Sequence, residues 1–391
     1  MPQLPEKACS GCHACSHVCP NSCIKLVANE AGFLYPVIDL AACSDCGLCE
    51  SVCQVIHPLT RKETPTAYAC RNLDEATREA SSSGGIFSLL AEEIIKQSGV
   101  VFGAAFDDKF NVRHIVIENK EELYKLRGSK YVQSTIGDAY RRTESFLEDG
   151  RPVLFTGTPC QINGLLHCLK KEYPHLYTQD IICHGVPSPN VWHTYINYLQ
   201  SLFGADIQNF SFRSKKSGWT GYSVYASFSN GEIYSKKFTE DSFMQAFLHN
   251  LCLRPSCYQC SSKGIERNSD ITLADFWGVE RVAPDQFDNK GTSLVLIHSE
   301  KGRRLMQLCS ASLTCREVSV DAAVAYNPSV HISSPTQKNR SGFMHDISVV
   351  NSNFAAVVKR YTKVPLWKRV VIRGITFAKC ILRKKAERNQ T

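Results

Sequence analysis

The alternation of apolar and polar positions divides the chain into stretches of different character. Two short β-like runs, Ile24-Lys25-Leu26 and Phe33-Leu34-Tyr35, flank a polar turn containing Gly32 and predict a small hairpin. The segment PLTRKETP, residues 58–65, has few apolar residues between two prolines, so it reads as a hinge with a new domain beginning near Thr66. After Ser81-Ser82-Ser83-Gly84-Gly85, the stretch IFSLLAEEIIKQSG repeats its apolar residues at helical spacing; a serine N-cap and the closing Gly99 bound the predicted helix. VVFGAAFD and residues 111–117 then predict strands, and residues 121–126 a short helix running into Gly128-Ser129-Lys130-Tyr131.

The region RPVLFTGTPCQINGLLHCLKKEYPHLYTQDIICHG passes from an apolar run through a Gly/Pro loop and a helical stretch to a second apolar run and a second loop. That order favours two parallel strands, because parallel strands need a crossover connection. In such a sheet ligands bind beyond the carboxyl ends of the strands. Cys160 and Cys183 both fall at those ends, so neighbouring strands bring their thiols together.

Composition changes this picture in one respect. A length of 391 residues suits two or three domains with a sizeable core, but 19 cysteines exceed what such a core uses. Eight of them form two runs, Cys9-x-x-Cys12-x-x-Cys15-x-x-x-Cys19-Pro20 and Cys43-x-x-Cys46-x-x-Cys49-x-x-x-Cys53. Three thiolates on one tight loop can cap three irons of a cubane, leaving the fourth iron to be reached from elsewhere. Zinc sites use separated pairs, and disulfide frameworks belong to small secreted chains; neither produces a triplet plus one, twice. The runs resemble the paired 4Fe-4S motifs of a bacterial ferredoxin, in which the fourth cysteine crosses to the other cluster. On that pattern Cys9, Cys12, Cys15 and Cys53 hold one cluster, and Cys43, Cys46, Cys49 and Cys19 the other. Gln54 stands where the first run has Pro20, and Cys23 is a spare thiol expected to pack.

Farther on, LCLRPSCYQC supplies Cys257-x-x-Cys260, a pair able to chelate one metal centre. With Cys160 and Cys183 it completes a four-cysteine set for a third 4Fe-4S cluster. The competing reading is a zinc half-site or redox pair beside two small buried cysteines. Cys70, Cys168, Cys252, Cys309, Cys315 and Cys380 have no partner at ligand spacing and read as filler.

The start MPQLPEKACSGC has no apolar run for a signal peptide, and thiolate ligands must stay reduced, so a cytoplasmic location is expected. Residues 359–391 carry eleven Lys or Arg against Glu387 alone, which leaves the remainder near −2 within a net charge of +8. Basicity is thus a property of the tail, and no nucleic-acid partner is expected. On a helical wheel Trp367, Val370, Val371, Phe377, Ala378, Ile381 and Leu382 oppose Lys368, Arg369, Arg373, Lys379 and Arg383. That pattern suits peripheral contact with an anionic membrane surface, at the inner face of the membrane, or packing on protein. No stretch reaches the roughly 18 uninterrupted apolar residues of a spanning helix.

The stretches SSGGIFSLL, RGSKYVQS, VLFTGTPCQINGL, DIICHGVPSP, FRSKKSGW, LRPSCYQC, SDITLADFWGV and NKGTSLVLI resemble the coenzyme F-420 hydrogenase/dehydrogenase beta-subunit family over about residues 80–297. The ferredoxin-like runs predict an α+β ferredoxin-like cluster module in residues 1–60, the family resemblance implies an α/β domain with a partly parallel sheet in residues 66–330, and residues 331–391 are expected to form the basic tail. The family resemblance also implies an FAD-containing iron-sulfur oxidoreductase that relays electrons between the ferredoxin-type clusters, a third cluster at Cys160, Cys183, Cys257 and Cys260, and a small-molecule redox substrate. Its partner would be a redox protein or reduced ferredoxin; the alternative is a non-catalytic electron-transfer subunit of a larger complex.

No GxGxxG follows a strand, so the nicotinamide fingerprint is absent. FAD contacts are expected instead at Ser83, Gly84 and Gly85, which open a helix able to hold a pyrophosphate, at Gly128, Ser129 and Lys130, and at Thr156, Gly157 and Thr158 beside Cys160. Ser-Gly-Gly and Gly-Ser-Lys are also common structural turns. Arg213, Lys215 and Trp219 suit either an anionic ligand or a solvated loop, His184 is expected to be structural, and Phe276 and Trp277 to be core. No catalytic residue is assigned.

Overall fold

The N-terminal segment folds around its two cysteine loops. In the computed structural model, which describes residues 3–59, 64–169, 171–349 and 353–363, strand β1 (Ile24–Ala28) pairs antiparallel with β2 (Leu34–Ile38), placing Leu26 opposite Pro36. Asn29 closes the hairpin, its side-chain oxygen accepting the amides of Ala31 and Phe33. Each cysteine loop enters a single helical turn, Ala14–His17 or Leu48–Ser51, through a residue in the left-handed region, His13 (φ 68°) or Gly47 (φ 72°).

Eleven more strands follow among the described residues: β3 (Thr66–Asn72), β4 (Val100–Phe106), β5 (Val112–Ile117), β6 (Val153–Thr156), β7 (Leu176–Ile181), β8 (Ile207–Ser214), β9 (Ser223–Phe228), β10 (Ile233–Lys237), β11 (Ile271–Asp275), β12 (Ser293–Ile297) and β13 (Leu313–Val318). Eight form one mixed sheet in the order β13-β3-β12-β11-β7-β6-β4-β5. Its centre, β4, β6, β7 and β11, is parallel, and both flanks are antiparallel. β6 and β7 are neighbours joined through the helix Pro159–Cys168, as the sequence pattern predicts.

Helices cover both faces of the sheet. Along β4, Val101 and Ala105 meet Ile86, Leu90 and Ile94 of the helix Ile86–Lys96, while Val100 and Phe102 meet Tyr140, Ile162 and Leu165 on the other side. Burial on both faces explains the unbroken apolar run of this strand. The helix Ile86–Lys96 begins at Gly85, which adopts φ 81°, and no side chain caps it. The expected serine cap is absent because the serines are engaged elsewhere: Ser83 donates to the carbonyl of Thr292, and Ser82 pairs with Ser129.

The three-stranded antiparallel sheet β10-β9-β8 packs with the helix Pro189–Phe203 around an aromatic core containing Trp192, Tyr195, Phe212 and Phe243. Two helices near the C-terminus, Arg340–Val349 and Phe354–Thr362, bury Phe343, Ile347, Phe354, Val357 and Val358 in the same core. The basic amphipathic stretch from Trp367 onward and Cys380 lie outside the described residues. Among the described residues no helix is long and apolar enough to cross a membrane.

Candidate functional site

Cys9, Cys12, Cys15 and Cys53 line one small cavity of about 30 Å³, so the last cysteine of the second run meets the first three of the first run. Burial pushes the Cys15 thiol well up, and the neighbouring Cys12, Cys9 and Cys53 add to the effect. Cys19, Cys43 and Cys49 pack together with the buried Cys23, whose Sγ lies 3.2 Å from that of Cys19. Cys15 touches this group too, so the two thiol sets share a wall. Cys46 is exposed.

The first cysteine loop is held tightly against the body of the protein. The fully buried guanidinium of Arg254 donates to the carbonyls of Cys9 (2.8 Å) and Leu34 (3.0 Å) and to the Gln133 side chain (2.9 Å), with the Tyr35 ring 4.2 Å from its centre. Among the described residues no carboxylate pairs with it. Glycine at position 164 admits the approach of the loop: a Cβ there would stand 2.9 Å from the Cβ of Cys12.

Cys160, in the first turn of the helix after β6, and Cys183, just past β7, lie beyond the carboxyl ends of those strands, and the turn Pro255–Gln259 carries Cys257 and ends at Cys260. All four cysteines line a second cavity of about 100 Å³, together with Lys263 and Arg267. The Thr158 hydroxyl lies 3.1 Å from the Cys160 Sγ, and the Val186 amide donates to the Cys257 Sγ at 3.5 Å. Burial pushes Cys183 up to about 11 and Cys257 up to about 12, with Lys263 partly offsetting the rise at Cys183. Among the described residues no three His, Cys, Asp or Glu side chains meet around a single ion position. Ser10 and Val55 line both this cavity and the first.

A third cavity, of about 680 Å³, opens beyond the carboxyl ends of the parallel strands. Ser83 and Gly85 line it, as do Gly128, Ser129, Lys130, Thr156, Gly157 and Thr158. Gly84 does not; it is wedged between β3 and β12, where a Cβ would come within 2.5 Å of the Cys70 carbonyl. Burial lowers the Lys130 pKa to about 7, and its ammonium donates to the carbonyls of Lys125 and Arg127 at 2.9 and 2.7 Å. Cys183, His184, Gly185 and Val186 border both this cavity and the four-cysteine one. His184, which borders both cavities, lies 2.6 Å from the Asn250 side-chain oxygen and edge-on to Phe247.

Sequence reasoning found the far wall only in part, leaving Arg213 between a ligand contact and a solvated loop and placing Trp277 in the core. Arg213 is buried in an ion pair with Asp275 (2.6 and 3.0 Å), lies 4.0 Å from the Tyr222 ring centre, and keeps a buried Nε without a partner. Trp277, expected in the core, lines the cavity and stacks on the buried Trp219 at 4.9 Å. Lys215 donates to the carbonyls of Arg78, Ser83 and Lys290 and does not line the cavity. The FRSKKSGW stretch is therefore only in part a solvated loop: β8 carries Phe212 and Arg213 into the core, Lys215 and Trp219 are buried beyond it, and Lys216 and Ser217 are exposed. Cys70 and Cys315 are also not isolated filler, since their Sγ atoms lie 2.8 Å apart across β3 and β13.

Residues 8–55 match the 4Fe-4S dicluster domain. Residues 67–140 match the N-terminal part, and residues 150–321 the C-terminal part, of the coenzyme F420 hydrogenase/dehydrogenase beta subunit. The chain belongs to that beta-subunit family. This F420 hydrogenase/dehydrogenase beta-subunit homologue is 27% identical over 161 residues to the coenzyme F420-dependent sulfite reductase of Methanocaldococcus jannaschii, covering 40% of this chain and 24% of that protein. It is 20% identical over 170 residues to a subunit of the F(420)H(2) dehydrogenase of Methanosarcina mazei, covering 41% of this chain and 48% of the relative. The chain thus spans a quarter to a half of these curated relatives. Among solved structures, a chain of the F420-reducing [NiFe] hydrogenase complex from Methanosarcina barkeri aligns with a TM-score of 0.46 at 17% identity, covering 66% of this chain and 83% of that one. Family and dicluster domain together mark an iron-sulfur protein of electron-transferring oxidoreductases.

Proposed function

We propose that the chain is an iron-sulfur flavoprotein oxidoreductase that relays electrons between ferredoxin-type clusters and a small redox substrate, in either direction. Cys9, Cys12, Cys15 and Cys53 would hold one 4Fe-4S cluster, Cys19, Cys43, Cys46 and Cys49 a second, and Cys160, Cys183, Cys257 and Cys260 a third. FAD would occupy the cavity of about 680 Å³, a size within the range of ligand pockets. The observation that carries this reading is the row of thiol sets and cavities, each sharing a wall with the next: Cys15, then Ser10 and Val55, then residues 183–186. Bound in such a row, clusters supply one-electron transfer and a flavin a two-electron store.

The side chains suit those occupants. A buried guanidinium without a carboxylate is costly, and Arg254, beside Cys9, gains a counter-charge from an anionic cluster there. At the third set Lys263 and Arg267 bring positive charge to Cys183, Arg267 being paired with Asp180 at 3.3 Å as well. In the large cavity the cations are already engaged, Arg213 by Asp275, Lys130 by carbonyls, and Arg127 by the Ser88 hydroxyl and Glu92. A diphosphate is therefore met by the uncapped amides at the start of the helix Ile86–Lys96 and by the hydroxyls of Ser129 and Thr158. Gly84 keeps that turn seated against β3.

The exposed Cys46 puts the outermost set within reach of a redox partner protein such as reduced ferredoxin. The F420 in the relatives' names makes a deazaflavin coenzyme the first substrate to test. That the second relative is one subunit of a dehydrogenase favours an alternative, a non-catalytic electron-transfer subunit of a larger complex. Anaerobic purification with iron, sulfide and flavin measured per chain separates the two: about twelve irons and one FAD are expected. Eight irons without flavin overturn the catalytic reading.

A further inference from the structure

Two cysteines outside the proposed cluster sets meet at the edge of the large sheet. Cys70 lies on β3, and Cys315 stands directly opposite on β13, the terminal strand. Antiparallel partners have Cα atoms about 4.5 or 5.5 Å apart, inside the roughly 4.4–6.8 Å that a disulfide spans. Their Sγ atoms already lie 2.8 Å apart. Cys315 is exposed to small reagents, whereas Cys70 is fully buried. The hydrogen-bond contact with Cys70 lowers the Cys315 thiol from its ordinary value, and its exposure makes it the nucleophile.

Cys70 also touches the turn that lines the large cavity. On its other side it faces Ser293 of β12, whose hydroxyl accepts the Gly84 amide at 3.0 Å. Two residues along β3, the Asn72 amide donates to the Gly84 carbonyl at 2.8 Å. A small shift of β3 is therefore felt by the turn Ser83-Gly84-Gly85, because no slack exists between Gly84 and the Cys70 carbonyl.

We propose that Cys70 and Cys315 form a reversible dithiol–disulfide couple, oxidised by a small disulfide such as glutathione disulfide, that clips β13 to β3 and stiffens the Ser83-Gly84-Gly85 turn. The Cys315 thiolate attacks one sulfur of the small disulfide; an S–S bond to Cys315 forms, and one glutathione thiolate leaves. Cys70 then attacks the Cys315 sulfur, its proton passes to solvent, and the second glutathione thiolate is released. The protein loses two electrons and two protons, and one glutathione disulfide becomes two glutathiones. A dithiol reductant reverses both steps. The couple does not depend on what occupies the large cavity.

The test uses the full chain with its iron, purified anaerobically and equilibrated in glutathione buffers of increasing oxidising strength. Free thiols are blocked with N-ethylmaleimide, and unreduced peptides are mapped by mass spectrometry. A peptide linking Cys70 to Cys315 is expected in most chains at the oxidising end and is lost with dithiothreitol. Amide hydrogen exchange over residues 82–87 is expected to slow about tenfold on oxidation, and Cys315→Ser, a change at an exposed position, removes both effects. Recovery of both residues as maleimide adducts at the oxidising end overturns the couple. A linked peptide with unchanged exchange over residues 82–87 overturns its action on the turn.

Discussion

Arg254 stands inside the LRPSCYQC stretch that the sequence singles out for its cysteines, yet its own partners are invisible there, because Cys9 lies 245 positions away. The spacing of ligands within one loop is local and can be read from letters; a guanidinium that reaches between modules is known only once the chain is folded. Arg254→Met keeps the apolar stem but leaves the carbonyls of Cys9 and Leu34 unpaired, which is expected to cost about 3 kcal/mol. A lower melting temperature with early loss of iron from the N-terminal module is the expected outcome. His114 carries a different consequence. It is buried between the Ser134 hydroxyl (2.7 Å) and the Thr156 carbonyl (2.9 Å), and burial lowers its pKa from 6.5 to about 4. Between those pH values the unfolded chain binds the extra proton, so stability falls as pH drops through that window, by up to about 3 kcal/mol. Thermal melts of His114→Gln from pH 7 to pH 4 should show a flatter pH dependence than the parent; an unchanged slope removes His114 as its source.

The helix Pro159–Cys168 shows what an element can hide. Its existence follows from the sequence: Thr158 and Gln161 form a capping box, Pro159 opens the first turn, and the flanking apolar runs are the parallel strands β6 and β7. The antiparallel flank β12-β3-β13 was not legible, because pairing between distant strands is set by packing rather than local pattern. The same holds for the serine cap expected before Ile86, which tertiary hydrogen bonds override. Within the helix Gly164 reads as a mere weakness, since Gly destabilises a helix interior by roughly 1 kcal/mol relative to Ala. Tertiary contact reverses that reading, because a Cβ would stand 2.9 Å from both the Cys12 Cβ and the Tyr140 hydroxyl. Gly164→Ala is thus expected to destabilise by about 1–3 kcal/mol despite its better helix propensity. Denaturant melts and iron content read this directly, and a variant more stable than the parent would sink the close-approach argument.

At the scale of the whole molecule, the topology gathers cysteines from the N-terminal module and from the middle of the chain into adjoining cavities. The two N-terminal runs were legible because each is a self-contained motif, and Cys160 and Cys183 because parallel neighbouring strands end together. That residues 183–186 also wall the large cavity was not, since it depends on how the CxxC turn and β11 close over the strand ends. On the proposed relay the middle cavity is the step between the N-terminal sets and the flavin, and Cys260 is a clean place to cut it, because it lines that cavity and neither neighbour. Cys260→Ser is expected to lower iron from about twelve to about eight per chain while leaving flavin bound. Reduction of that flavin by reduced ferredoxin should then slow by orders of magnitude, while its direct photoreduction proceeds at the parent rate, because only the route through the cysteine sets has been broken. Stopped-flow absorbance under anaerobic conditions distinguishes the two. If ferredoxin still reduces the flavin of Cys260→Ser at the parent rate, electrons do not travel along the row, and the shared walls between the cavities have no part in their transfer.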